Sequence, residues 1–237
     1  MDDRFAAALE TLNESAGRES EIWRPFLDVA PVAGVAVSTI AAYLGSETVA
    51  ASGPIAARID EVQFDLGEGP CWDAMNTAAP VFDPDVRDNP RHNWPSFYEA
   101  ISSDGIGAVF AFPLSFGPLK LGAVDLYSAE ALQLSAKETQ QTAALAKAAS
   151  RIVLNRALRI MDETPGTEDS SRFSRRIIHQ ATGMVLAQLT ISADDAALLI
   201  RGHAFATGRS MAEVAGDIVD RTLSFASGPN GIGNSDE

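Results

Sequence analysis

The C-terminal part of the chain contains two serine–acid pairs that predict where helices begin. Ser192 is followed three residues later by Asp195, and Ser210 is followed three residues later by Glu213. A serine before a helix can accept from the third helical N–H, while the acid reaches back to the N–H of the serine. Gly208 stands between the pairs, where a helix is expected to end. With the apolar periodicity of the preceding segment, these signals predict three short helices.

The first of these helices separates into an apolar face and a cationic face at about 100° per residue. The broad apolar side contains Phe173, Ile177, Ile178, Ala181, Met184, Val185 and Leu189. The other side contains Arg172, Arg175, Arg176, His179 and Gly183. Leu186 also falls on this side. A cationic strip with a gap that lacks a side chain suits close approach to a phosphate backbone or to unstacked bases. An ordinary solvated face is the alternative, and composition alone does not decide between them.

The segment from about residue 170 to 225 resembles the ANTAR domain. That family is an RNA-binding three-helix module of transcription antitermination regulators. Matching residues occur in all three predicted helices, namely Ile178 to Val185, Asp195-Ala196, Arg201 with Ala204-Phe205, and Val214-Ala215 with Ile218-Val219. Thr182 stands where many members carry a lysine before the glycine.

The resemblance implies an RNA-binding surface. By helix face, we expect RNA to meet Arg172, Arg175, Arg176, His179 and Gly183, with Gln180 and Thr182 at the edges. Matching family positions add Arg201, Arg209 and Ser210, the last of which also caps a helix.

Composition indicates a globular chain of one or two domains. The 237 residues are 46% hydrophobic and 21% charged, which is typical of a folded protein with a sizeable core. No run of about 18 apolar residues is present, so we expect no membrane span. The acidic start Met1 to Arg4 does not resemble a secretory signal. The single cysteine, Cys71, excludes an internal disulfide and predicts a cytoplasmic location.

The net charge of −14 argues against general nucleic-acid binding, but its distribution is uneven. Residues 1–167 hold 12 basic and 23 acidic side chains, whereas residues 168–225 hold 6 and 7. An acidic first part repels nucleic acid, while the second part concentrates its arginines on one helix. We therefore expect selective RNA binding that depends on salt.

The first two thirds of the chain predict an α+β fold, an antiparallel sheet with flanking helices. The predicted helices are 4–30, 55–64, a helix from the 66–71 loop to Thr77, 96–102 and 135–161. The predicted strands are 34–42, 47–52, 80–82, and the hairpin 106–116 with 119–127, with a long loop over 84–95.

This part of the chain resembles a GAF sensor domain, of the actinobacterial type that precedes an ANTAR module. The resemblance lies in Leu66 to Cys71 with Ala74, in Ala111 to Leu114, and in Leu121 to Tyr127. We therefore expect a GAF domain over 5–161, a linker over 162–171, an all-α three-helix ANTAR domain over 172–225 and a disordered tail over 226–237.

The long helix that ends the predicted sensor has two interpretations. Its apolar side is nearly continuous, with Arg151, Arg156 and Arg159 expected outside. We expect the first half to pack on the sheet and the second half to form a homodimer.

A GAF resemblance implies a pocket for a small molecule or for redox sensing, without naming the ligand. No lysine follows an asparagine, as a cyclic-nucleotide signature would require, and no histidine lies beside Cys71, as bilin attachment would require. His92 alone is weak support for haem, and the nearby aspartates are too scattered for a metal. The cofactor therefore stays unknown.

Candidate pocket residues are Cys71, Trp72, Trp94, Phe97 and Phe110, with Phe64 and Phe112 as further aromatic side chains. They could line an apolar pocket, although an ordinary hydrophobic core is the more common use of such side chains. Cys71 is either a redox switch or a plain buried thiol.

We expect a regulator and not an enzyme, because the sequence contains no phosphate loop, nucleophile elbow or paired acids. The leading hypothesis is a GAF–ANTAR antitermination regulator, whose homodimer binds a leader RNA with two stem-loops. One alternative is a DNA-binding regulator, since helices 192–207 and 210–225 imitate a helix-turn-helix. The acidic side chains Glu213, Asp217 and Asp220 oppose it. The other alternative is a ligand-binding or dimerisation module that acts on a protein partner.

Overall fold

The computed structural model describes residues 3–15, 18–40, 46–88, 93–162, 175–228 and 231–234. The chain divides into two compact units, Met1–Ser174 and Arg175–Glu237. Arg172, Phe173 and His92, together with the predicted linker beyond Asp162, lie outside the described residues.

The first unit is built around one five-stranded antiparallel sheet with the order β2-β1-β5-β4-β3. Its strands are β1 (Gly34–Thr39), β2 (Glu47–Ala51), β3 (Val81–Asp83), β4 (Ala108–Phe116) and β5 (Leu119–Ser128). Its helices are α1 (Asp3–Glu14), α2 (Arg24–Val29), α3 (Pro54–Leu66), α4 (Pro70–Thr77), α5 (Pro95–Ile101) and α6 (Ala136–Asp162), with 3-10 turns at Glu19–Glu21 and Val86–Asp88. The predicted fold class is confirmed.

Helices cover both faces of this sheet. On one face, α1, α2 and α6 enclose the main core, in which Phe26, Phe110, Phe112 and Leu145 are at most 1% exposed. On the other face, α3, α4 and α5 pack over smaller clusters, one of which is centred on Phe97. Alternating side chains of β4 and β5 therefore belong to different cores.

The prediction of one helix over residues 4–30 is wrong. The described chain forms α1, which ends at Glu14, and α2, which begins at Arg24. Pro25 lies in the first turn of α2, where its missing N–H leaves no helical bond broken. A helix that continued through this position would lose a backbone hydrogen bond.

Helix α6 is a single element of 27 residues, which is about 40 Å at 1.5 Å per residue. Its first half packs in the main core, as predicted, through Leu145 and Ala149. The prediction that Arg156 faces outward is wrong, because this side chain is buried and its Nη1 lies 3.2 Å from Oε1 of Glu47. A sequence pattern does not reveal a carboxylate on a distant strand.

The second unit contains the three predicted helices, α7 (Arg176–Leu189), α8 (Ala193–Thr207) and α9 (Met211–Val219). Ser192 Oγ accepts a hydrogen bond from the N–H of Asp195 at 3.1 Å, and Ser210 forms a complete capping box with Glu213. Gly208 ends α8 with φ of 66°, the left-handed conformation that glycine adopts without strain. The predicted starts of α8 and α9 and the predicted end of α8 are therefore confirmed, whereas the prediction that the last helix reaches residue 225 is wrong, since α9 ends at Val219.

The prediction of a tail without regular structure is wrong for part of it. Residues Phe225–Gly228 form strand β6, which pairs antiparallel with β7 (Gly231–Asn234). Phe225 is 4% exposed and its ring meets His203 of α8 edge to face at 5.7 Å. Glycine, asparagine and serine predicted disorder, but the same residue types also suit a tight hairpin.

Candidate nucleic-acid interface

Helix α7 presents part of the predicted cationic strip to solvent. The side chains of Arg176, His179 and Gln180 are exposed. Gly183 is exposed as well, and no atom lies within 4 Å of the position that a Cβ would take there. The apolar side of the same helix is anchored by Ile178, Ala181 and Val185, which are at most 3% exposed. The part of the cationic strip that the structure describes therefore carries one guanidinium, one imidazole and one amide group. Beside them, Gly183 leaves an open step, a position on the helix from which no side chain projects.

Arg175 does not share the exposed strip. It is the N-cap residue of α7 and is only 5% exposed. Its carbonyl oxygen accepts hydrogen bonds from the N–H groups of Ile178 at 2.9 Å and His179 at 3.2 Å. The face prediction is wrong here because Arg175 precedes the first helical residue, so its side chain does not follow the helical angle of 100° per residue.

Thr182 turns its hydroxyl back onto its own helix. Oγ1 donates a hydrogen bond to the carbonyl oxygen of Ile178 at 2.7 Å, and the side chain is half-buried. Such a bond to the carbonyl four residues earlier is a common arrangement for threonine within a helix. Thr182 is therefore an uncharged edge of the strip.

The two arginines added by family position have different surroundings. Arg209 binds Asp217 through Nη1 at 2.7 Å and the carbonyl oxygen of Glu213 through Nη2 at 3.3 Å. The hydrogen bond with Asp217 raises the pKa of Arg209. Arg201 is half-buried in α8. The positive charge of Arg209 is thus paired with the carboxylate of Asp217 in the same unit.

Sequence reasoning missed the exposed apolar side chains of α8. Leu198 is 62% exposed and Phe205 is 70% exposed. The inward side of the helix holds Ala196, Ile200 and Ala204. A helical plot against these inward residues would have placed Leu198 and Phe205 on the outside.

The candidate pocket residues of the first unit fall into three separate clusters. Cys71 and Trp72 pack with Ile40 and Ala123. Trp94 and Phe97 belong to the cluster around α5. Phe110 lies in the main core on the opposite face of the sheet. The structure does not bring these five residues together, since strand alternation separates Phe110 from the others.

A network of hydrogen bonds joins α3, α4 and α5, and sequence reasoning did not identify it. Gln63 Oε1 accepts from the N–H of Cys71 at 2.8 Å, and the Gln63 carbonyl oxygen accepts from Trp72 Nε1 at 2.7 Å. Glu68 Oε1 accepts from the N–H of Phe97 at 2.8 Å. The turns at Gly67 and Gly69, both with positive φ, were the sequence signal of this compact connection.

Two buried polar atoms border the cluster around Cys71. Within the described part of the chain, Ser38 Oγ and Gln63 Nε2 have no hydrogen-bond partner. Ser38 pairs across the sheet with Ala123, which contacts Cys71. A buried polar group without a partner is costly, so these two atoms leave hydrogen-bonding capacity unused beside Cys71.

Two shallow depressions lie beside α6, on the other side of the sheet. They have volumes of about 350 Å³ and 420 Å³ and share Ser115, Gly117 and Lys147 in their lining. Phe112 lines the larger one. None of the five candidate pocket residues named from sequence lines either depression.

Among the described residues, no group of three or more His, Cys, Asp or Glu side chains could hold a metal ion. Within the same ranges, no single helix is long and apolar enough to cross a membrane. Helices α7 and α8 pass that test of length and composition only when taken together across a bend of 110°.

Comparison with protein families identifies both units. Residues 20–154 match the GAF domain family, so the chain belongs to that family. Residues 172–219 match the ANTAR domain family. The chain therefore couples a sensor domain to an ANTAR domain, which is the composition of a GAF–ANTAR regulator. A comparison with curated protein sequences gives no match.

Solved structures are similar to part of this chain at low sequence identity. The GAF domain of an Acinetobacter phosphoenolpyruvate-protein phosphotransferase aligns with a TM-score of 0.50 at 10% identity, covering 70% of this chain and 96% of that one. A bacteriophytochrome chromophore-binding domain from R. palustris aligns at 0.49 and 13% identity, covering 68% and 62%. A free methionine-R-sulfoxide reductase from Thermoplasma acidophilum aligns at 0.44 and 14% identity, covering 61% and 95%.

Proposed function

We propose that this protein is a cytoplasmic, non-enzymatic regulator that binds stem-loop RNA in nascent transcripts and prevents a terminator from forming. The RNA-binding domain is residues 172–225, and the GAF domain over residues 5–161 controls it. The observation that carries the proposal is the exposed edge of α7, where Arg176, His179 and the open step at Gly183 stand above a packed three-helix core.

Electrostatics support RNA as the ligand of this edge. Arg176 is exposed, and α7 contains no acidic side chain between residues 176 and 189. Phosphate groups can therefore approach the helix without meeting a carboxylate on it. Gly183 lets a sugar or a base come close to the helix backbone.

The protein acts as a homodimer in this proposal, because two RNA-binding domains can then engage the two stem-loops of one leader. The second half of α6 is the proposed contact. Leu158 is 49% exposed on it, beyond Ile152 and Val153, the last residues of α6 in the main core. A helix of this length can connect a sensor to a following domain.

The signal is a small polar molecule in the sensor, in this proposal. Ser38 Oγ and Gln63 Nε2 are buried beside the Cys71 cluster and offer hydrogen-bonding groups. A guest that satisfied both would stabilise the packing of α3 and α4 against the sheet.

The test uses the full-length protein with a fluorescent RNA that carries two hexaloop stem-loops, titrated over a series of salt concentrations. Controls are a duplex DNA of equal length and an RNA with one stem-loop. We expect selective binding of the two-loop RNA, with affinity that falls as salt rises. Equal binding to DNA, or no binding, would sink the proposal and favour a DNA target or a protein partner.

The variant Arg176→Gln refines this test. It is expected to weaken RNA binding and to reduce the dependence of log affinity on log salt by about 0.7 to 0.9, the contribution of one phosphate contact. Arg221→Gln is the matched control, since Arg221 is an exposed arginine of the same unit outside α7.

A further inference from the structure

The outer face of α8 presents two large apolar side chains to solvent. Phe205 is 70% exposed and Leu198 is 62% exposed, the highest values among the described large hydrophobic residues. Both lie in the ANTAR unit, whose own core is complete without them, because Ile200 and Ala204 fill the inward side of this helix. The two side chains are therefore not used in the core of this helix and are available to a ligand.

Gly202 lies between these two side chains on the same face. At about 100° per residue, positions 198, 202 and 205 fall within roughly 60° of one another. No atom lies within 4 Å of where a Cβ on Gly202 would stand. Side chains of a helix lean toward its N-terminus, so the ring of Phe205 is directed over the turn that contains Gly202. The result is an open step beside an aromatic ring.

We propose that Phe205 and the open step at Gly202 form a platform on which one unpaired base of the RNA stacks. The proposal rests on the RNA-binding function proposed above and adds a contact that is not electrostatic. Positions 198 and 205 are about 10.5 Å apart along the axis at 1.5 Å per residue. Leu198 is therefore two helical turns from Phe205, and the base is proposed to stack on the face of the Phe205 ring alone.

The charge around Phe205 favours RNA. Arg201 precedes Phe205 by one helical turn, and the acids of α8, Asp194 and Asp195, stand in its first turn. Asp195 is about 15 Å from Phe205 along the helix at 1.5 Å per residue. The ring is therefore distant from the carboxylates of its own helix, while Arg201 is half-buried one turn before it.

The area of the patch is too small for a stable protein interface. An aromatic side chain buries about 150 to 250 Å², whereas a stable protein–protein interface needs about 800 Å² from each partner. Leu198 and Phe205 together fall well short of that. A single stacked base, in contrast, needs only one ring face.

The test compares full-length wild-type protein with Phe205→Ala and Phe205→Trp on the two-loop RNA. Phe205→Ala is expected to lower affinity roughly 5- to 150-fold, the range for loss of one stacked base, with the salt dependence unchanged. Phe205→Trp is expected to retain the affinity, and its fluorescence should be quenched by RNA with open loops but not by a fully paired RNA. Phe116→Ala is the matched control, since Phe116 is a 45% exposed phenylalanine of the sensor.

The outcomes separate this proposal from the proposed function. Wild-type affinity in Phe205→Ala, or an unquenched Phe205→Trp that binds RNA, would overturn the platform and leave RNA binding intact. Absence of RNA binding by the wild-type protein would overturn both. A changed mass in sedimentation with unchanged RNA affinity would assign the patch to a protein contact and overturn the platform.

Discussion

The side-chain oxygen Oε1 of Gln63 accepts a hydrogen bond from the backbone N–H of Cys71 at 2.8 Å. Gln63 is fully buried, and Cys71 is 1% exposed in the first turn of α4. One side chain of α3 thereby satisfies a helix-start N–H that has no partner within α4. The turn between the two helices must hold this geometry, which makes its glycines sensitive positions.

Gly69→Ala is expected to lower the free energy of unfolding of the sensor by about 1 to 3 kcal/mol, the cost of a strained backbone position. Gly69 has φ of +133°, and a Cβ there would stand 2.6 Å from Cγ and Oε1 of Gln63. Urea denaturation measures the loss. A faster reaction of the Cys71 thiol with a thiol reagent should accompany it.

Gly105→Ala is the control for that experiment, because Gly105 also has positive φ, +69°, but no atom lies within 4 Å of its Cβ position. It should cost about 1 kcal/mol, from the left-handed backbone alone. Equal losses in the two variants would contradict the close contact with Gln63.

Thr182→Lys is expected to raise RNA affinity and to increase the salt dependence by about 0.7 to 0.9, because it adds one phosphate-directed cation at the edge of the strip. The half-buried Thr182 is held by its bond to Ile178, so the lysine must extend past this position to solvent. Thr182→Val, which removes the hydroxyl without adding charge, is the control. An unchanged salt dependence in Thr182→Lys would place RNA elsewhere on the unit.

The cap of α9 is expected to weaken in acid. Hydrogen bonds from the backbone N–H and then from the side chain of Ser210 hold the pKa of Glu213 below its ordinary value of 4.5. A lowered pKa in the folded state means that the stabilisation is complete above pH 4.5 and is lost as pH falls through the lowered value.

Glu213→Gln should remove this part of the pH dependence, measured as the free energy of unfolding between about pH 3 and pH 6. Asp220→Asn, at an exposed carboxylate beyond α9, is the matched control. Acid sensitivity that persists fully in Glu213→Gln would rule out the cap as its source. Ser210→Ala should cost about 1 kcal/mol near neutral pH, as for other N-cap serines.

The ion pair between Arg156 of α6 and Glu47 of β2 is expected to contribute much more to the free energy of unfolding than the ion pair between Arg159, near the end of α6, and Glu19. Arg156 and Glu47 are 10% and 18% exposed, and both of their contacts are within 3.4 Å. Glu47→Gln should cost roughly 3 kcal/mol, because it leaves a buried guanidinium without its charge partner.

Arg159→Met provides the comparison, since it removes the more exposed pair between Arg159 and Glu19 and should cost less than about 1 kcal/mol. Replacing both members of the buried pair by apolar residues should restore most of the loss. Thermal unfolding of the wild-type protein, the two single variants and the double variant measures these effects. Similar losses of stability in the two single variants would refute the distinction between the buried and the exposed pair.

Local signals in the sequence were sufficient for much of the fold. The serine caps, Gly208 and the β4–β5 hairpin depend on neighbours within a few residues, and their positions agree with the structure. The burial of Arg156 depends on Glu47, more than a hundred residues away in the chain. Helical periodicity gives the angle of a side chain about an axis but does not identify what that side chain meets.

At the candidate site, too, the sequence predicted what depends on local pattern and did not predict what depends on distant contacts. The exposure of Arg176 and His179 followed from the helical pattern, whereas the burial of Arg175 did not, because the pattern holds only inside the helix. Phe110 and Trp94 are both aromatic and buried, but Phe110 faces the main core from β4, whereas Trp94 precedes α5 in a cluster on the other face of the sheet.

Strand β6 packs against α7, and its first residue, Phe225, is buried beside His203. The ANTAR family match ends at residue 219, so a fragment cut at that border would lose the hairpin and expose the apolar surface beneath it. An affinity tag fused directly after a truncated C-terminus would meet the same surface. The folded unit is therefore longer than the segment that matches the family, and an expression boundary set at residue 219 would leave Phe225 and its hairpin out of the product.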